Sequence, residues 1–204
     1  MSFKQTFTSH AKFIAFAFCI LFANLSGAET RLNITYAHNA SDEIATGDQL
    51  KALLLKYDLS KWILTKEIVI DNASIPHSHP VLTLHARHLK DDELLLSTFI
   101  HEQMHWLLAE QKDWTPRAIV DLKIQFPTTP FGFPEASNDE EGNYEHLLVI
   151  ALEWRADREL LGELRAREVM EFWANDHYTW IYRTVLENRR KIDDIIRKRN
   201  LMPG

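Results

Sequence analysis

Residues 91–111 read DDELLLSTFIHEQMHWLLAEQ. Three carboxylates, Asp91, Asp92 and Glu93, precede an apolar periodic stretch, where the positive end of a helix favours negative charge, so a helix is expected over 92–110. Inside it stand His101-Glu102-Gln103-Met104-His105. Residues four apart leave a helix on the same side, so His101 and His105 can reach one metal ion while Glu102 stands at the flank of that face. Neutral imidazole suits zinc, and a glutamate beside the ion can take a proton from water. With ten histidines in 204 residues, this spacing arises by chance about 0.04 times per chain, so the pattern carries information. The competing account is a pair of histidines on a half-buried helix whose ring nitrogens find backbone or water partners.

A catalytic zinc commonly takes three protein ligands and leaves a fourth position open. Downstream, Tyr144 to Leu161 is largely apolar, with Asn143 placed to cap a helix and Gly162 just past its end. At 100° per residue His146, Glu153 and Asp157 fall within about 40° of one another, on a single polar stripe. A buried carboxylate without a partner is costly, and a divalent cation is one partner that offsets the cost. An ion pair of Glu153 with Arg155, Arg158 or Arg165 would also do so.

These two stretches together resemble the gluzincins, the thermolysin-like zinc peptidases, in which the third ligand opens an E-x-x-x-D segment on a later helix. Here that segment is Glu153-Trp154-Arg155-Ala156-Asp157. The metzincin continuation is missing, because Leu108 and Gln111 stand where a glycine and a histidine are needed. The resemblance covers about 70 residues, from Asp91 to Leu161. It implies zinc held by His101, His105 and Glu153, Glu102 as general base, and Asp157 orienting a ligand histidine from behind. It also implies a compact zincin-like fold and hydrolysis of peptide bonds by a zinc-activated water. A donor for the developing oxyanion is needed as well. His146 is the preferred catalytic candidate, with His177, Tyr178 and Tyr182 as others. His146 could instead replace Glu153 as third ligand.

Upstream, Leu32 to Ala37 alternates as a strand does, and Asp48 to Tyr57 carries Leu50, Leu53 and Leu54 at helical spacing. Glu67 to Ile70 ends at the turn pair Asp71-Asn72 and reads as a second strand. Val81 to Arg87 alternates as a half-exposed third strand, placed to hold an extended substrate beside the motif helix. His77, His79, His85 and His88 are expected to be solvated on that strand and its flank. Residues 127–143 contain three prolines and two glycines and form a long loop, whose aromatic residues could wall a pocket or plug the core. Beyond it only helical patterns follow, near 163–172 and 176–200. The C-terminal one has charges around Ile192, Ile195 and Ile196, as an amphipathic helix with a solvated outer face does. The expected fold is therefore α+β, a small, mostly antiparallel sheet packed on a helical domain.

The N-terminus sets the compartment. Lys4 and Lys12 precede the apolar run Phe13 to Ala23, and Ser26 and Ala28 are small residues at the −3 and −1 positions of a cut. Residues 1–28 are expected to be a cleaved signal peptide, since an anchor needs about 20 apolar residues. The remainder, residues 29–204, is read as one periplasmic or secreted domain without cysteine and with no stable membrane span. The whole chain carries a net charge of −6, which offers nothing to a nucleic-acid backbone. A peptide or protein substrate is the expected partner. The alternative is an exported, non-catalytic binding or scaffold module whose metal site is structural or inactive.

Overall fold

The computed structural model describes residues 31–204; the expected signal peptide lies outside the described residues. The elements run β1 (Asn33–Tyr36), α1 (Ser41–Lys56), β2 (Glu67–Ile70), β3 (Leu82–Leu84), α2 (Asp92–Glu110), α3 (Thr115–Gln125), α4 (Glu140–Leu161), α5 (Glu163–Trp173) and α6 (Thr179–Lys198). The fold is mixed α+β and mostly helical. Among the described residues no helix is long and apolar enough to cross a membrane.

The sheet corrects the expected antiparallel arrangement: β1, β2 and β3 lie side by side in that order, all parallel. Asn33 faces Glu67 at one end and Ile70 faces Leu84 at the other. Parallel neighbours need a crossover rather than a hairpin, and α1 supplies the first. Asp71-Asn72 therefore does not turn a hairpin. Asn72 serves α1 instead, its amide donating to Asp42 Oδ2 (3.0 Å) and its backbone N–H to Glu43 (3.2 Å). Residues 73–81 then return along the outer side of β3, where His77 and Thr83 exchange backbone hydrogen bonds of 3.1 and 2.8 Å.

The expected half-exposed strand over Val81 to Arg87 is consequently only three residues long and fully buried. Thr83, on its supposed outer face, is 3% exposed because the His77 strap covers it. Beyond it the chain enters a short 3-10 turn at Ala86–His88.

α2 is capped as its acids predict, Asp91 accepting from the Leu94 N–H. It is buried on nearly all sides, so it sits between the sheet and the other helices. The polar residue inside its motif, Gln103, is satisfied by the loop before β2: its amide donates to the Thr65 carbonyl (2.8 Å) and accepts from the N–H groups of Leu64 and Thr65. That fixes α2 against the sheet.

α4 packs against α2, α3, α5 and α6. It begins earlier than expected, with Asp139 as cap. Asn143 instead lies buried and ties the preceding loop down, accepting from the Ser137 N–H at 2.7 Å and donating to the Pro130 carbonyl at 3.1 Å. The helix stops at Gly162, where φ is +84°.

Candidate metal centre

α2 and α4 cross so that His101 and His105 from one meet His146 from the other. One ligand atom of each lies within 4.8 Å of those of the other two. The ring centroids are 5.2 Å apart for His101 and His105, 5.6 Å for His101 and His146, and 4.9 Å for His105 and His146.

What each ring does with its other nitrogen decides how the cluster reads. His101 Nδ1 is 2.8 Å from Glu153 Oε2, His105 Nδ1 is 2.9 Å from Glu145 Oε1, and His146 Nδ1 is 2.7 Å from the Gly142 carbonyl. A carbonyl only accepts, and the His105 hydrogen bond holds the Glu145 carboxylate below its usual range, so the ring protons of His146 and His105 belong on Nδ1; Glu153 asks the same of His101 in its ionised form. A ring held this way keeps its Nε2 lone pair for a ligand. This is how metal-ligating histidines are held, with the second nitrogen given to a carboxylate or carbonyl. Burial and the neighbouring His105 hold His101 well below the usual imidazole range. Burial together with His105 and His101 brings His146 down to about 3. Neutral rings are the form a cation requires. The donor set fits zinc, which takes imidazole nitrogens in a tetrahedron and suits three-histidine sites.

No protein-family model, curated protein or solved structure matches this chain. The likeness to gluzincins therefore stays with the two motifs, and the geometry departs from it in one respect. Glu153 stands behind His101, bonded to its Nδ1, while His146 completes the cluster.

Glu153 is fully buried and accepts two further hydrogen bonds, from Ser97 Oγ at 2.5 Å and from Tyr182 Oη at 3.2 Å. Trp173 Nε1 in turn donates to Ser97 Oγ at 3.0 Å. Burial pushes the Glu153 carboxyl up to about 8, and the Ser97 and Tyr182 donors act against that. Asp157, one turn further along α4, makes no hydrogen bond to a histidine. Both its oxygens are buried without a partner. Burial and the Glu153 charge raise it well above the carboxylate range. The acid bonded to a histidine of the cluster is thus Glu153, where Asp157 was expected to orient one.

Ser97 and Glu145 were not singled out by the sequence. Ser97 lies four residues before His101 on the same face, a spacing that could have found it. Glu145 has no such signal, since its meeting with His105 depends on how the helices cross.

The cluster opens into a cavity of about 640 Å³. Glu102 lines it and is 6% exposed. Burial pushes its carboxyl up to about 7, against the His105 ring and with the Glu153 charge. His88, expected in solvent, is also buried there, edge-on to Trp173 at 5.1 Å, and burial lowers it to about 4. His77 lines the cavity as well, and His79 stacks on Trp106. His146 gives its Nδ1 to the Gly142 carbonyl and Tyr182 is turned to Glu153, while His177 and Tyr178 also line the cavity. Tyr178 adopts a left-handed backbone (φ +48°) directly before α6, and its ring lies 4.5 Å from that of His146. His177 is held by Asp176 (2.8 Å), which Arg87 also grips (2.8 Å).

Proposed function

We propose that the protein is an exported zinc-dependent hydrolase, a small metallopeptidase, with His101, His105 and His146 as metal ligands. One observation carries this reading: three imidazoles from two helices converge on one point, each with its far nitrogen already bonded to an acceptor, beside a buried glutamate in an open cavity. A structural zinc site is closed by four protein ligands, whereas a catalytic one has three and keeps a place for water.

Zinc, when bound, supplies Lewis acidity, polarising a carbonyl and making water acidic near neutral pH. Glu102 takes the proton from water as its oxygen bonds to the amide carbon, and returns it to the leaving nitrogen as the C–N bond breaks. A carboxyl raised towards 7 serves both halves of that exchange, because base and acid forms are both within reach. Tyr178 and His177 donate to the negative charge that develops on the carbonyl oxygen. Glu153 and Glu145 hold two of the rings in the tautomer that leaves Nε2 free.

The test is metal analysis and peptide hydrolysis with wild type beside Glu102→Gln. About one zinc in each, with hydrolysis lost by a factor of at least about 100 only in the variant, is the expected result. Metal-free wild type, or hydrolysis indifferent to Glu102, overturns the proposal. Full zinc with no turnover by wild type favours the binding module.

A further inference from the structure

We propose that Trp173 is a positioning residue for the metal: by way of Ser97 and Glu153 it fixes the proton of His101 on Nδ1 and so keeps Nε2 bare. The inference rests on the reading of the three histidines as ligands.

Three hydrogen bonds join the indole to the ring. Trp173 Nε1 lies 3.0 Å from Ser97 Oγ, Ser97 Oγ lies 2.5 Å from Glu153 Oε1, and Glu153 Oε2 lies 2.8 Å from His101 Nδ1. Trp173 is 2% exposed, and Ser97 and Glu153 are fully buried, so solvent has little part in this relay. Four helices supply it. Ser97 and His101 stand one turn apart on α2, Glu153 comes from α4, Trp173 ends α5, and Tyr182 on α6 adds a bond of 3.2 Å to Glu153 Oε2. The indole meets the rings of His88 and His177 edge-on, with centroids 5.1 and 5.2 Å away, which holds it in place.

The direction of such a relay is set by the member that cannot reverse. A hydroxyl gives or takes, a carboxyl does either according to its proton, and an imidazole exchanges two tautomers, but an indole N–H only donates. Ser97 therefore accepts from Trp173, and its single hydrogen is left for Glu153 Oε1. Among the described residues Glu153 is the only hydrogen-bond partner of the Tyr182 hydroxyl, so that hydrogen goes to the same carboxyl. Two O–H donors on one carboxyl favour its anion, and an anion accepts from Nδ1–H. Without the Ser97 donor the opposite arrangement gains ground: Glu153 keeps a hydrogen and gives it to Nδ1, while the ring's own hydrogen sits on Nε2. That tautomer offers a cation no lone pair at Nε2.

The test reads the ring directly. The full chain, labelled with nitrogen-15 histidine and stripped of metal, is studied by long-range proton–nitrogen correlation, with His101 assigned through His101→Gln. Wild type is expected to show His101 protonated at Nδ1. Ser97→Ala removes one hydroxyl, and Trp173→Phe keeps an aromatic ring without the N–H; both should shift His101 towards the Nε2-protonated form. Zinc affinity, read by chelator competition, should fall by about 10–100-fold in Ser97→Ala and by about three- to tenfold in Trp173→Phe. Exchange of the Trp173 N–H with water, slow in wild type, should quicken in Ser97→Ala, which tests the first bond of the relay even where Trp173→Phe does not fold. His101 protonated at Nε2 in wild type, an unchanged tautomer in either variant, variants that lose only thermal stability, or a freely exchanging Trp173 N–H in wild type would each overturn the inference. Zinc uptake is scored apart. Wild type that takes up no zinc overturns the metal centre, and the tautomers of the metal-free protein still decide the relay. Normal zinc uptake with an unchanged tautomer in both variants overturns the relay alone.

Discussion

Glu153 combines full burial, three donors and contact with a ring that faces the cavity. Replacing it with Gln keeps the shape but puts an amide where the His101 N–H needs an anion, so one ligand loses its fixed tautomer. Zinc affinity should fall by about 10–100-fold in Glu153→Gln, read by competition with a chromophoric chelator. Glu145→Gln belongs at the low end of that range, because its carboxylate is partly open to water, which can take over the hydrogen bond to His105. Equal, unchanged affinity in both variants would mean that the rings are not metal ligands.

Among the elements, α4 and α5 share one residue as the end of the first and the start of the second. Gly162 has φ +84° and ψ 161°, a region open to glycine and costly to any residue with a Cβ. Gly162→Ala should therefore lower stability by about 1–3 kcal/mol in urea unfolding, although a Cβ there would meet no neighbour. A change within 0.5 kcal/mol would contradict the strain argument. This glycine is legible in the sequence as a helix stop, because the requirement is local. So is the pairing of His101 with His105, which needs only helical geometry, and so is the polar stripe of α4.

Which member of that stripe meets the histidines is not local. His146 and Glu153 lie two turns apart on one face, and only the crossing of α2 and α4 puts the first at the cluster and the second behind a ring. The parallel sheet escaped for a related reason. Short strands separated by a turn pair read equally well as a hairpin, and nothing in residues 71–81 announces a strap that doubles back past Thr83. α1 begins at Ser41, seven residues before the expected Asp48, because its first turns bury Glu43, Thr46 and Gly47, which carry no apolar period.

At the scale of the whole molecule, the proposed ligands lie on α2 and α4, so an ion held by them would brace two largely buried helices. An ion that binds only the folded state stabilises it by about 2.7 kcal/mol at a hundredfold excess over its Kd. For a chain of this size that is about 5–10 °C in Tm. Calorimetry should show that rise on adding zinc to metal-free protein, its removal by a chelator, and no rise in His146→Ala. A Tm indifferent to zinc would sink the three-histidine centre.

The strap over β3 has a second effect, on how copies of this molecule behave together. Unpaired strand edges are templates for other chains. With His77 closing one side, the free edge among the described residues is β1, four residues long. Among the described residues, edge-to-edge pairing of copies would therefore have to run through that one short strand.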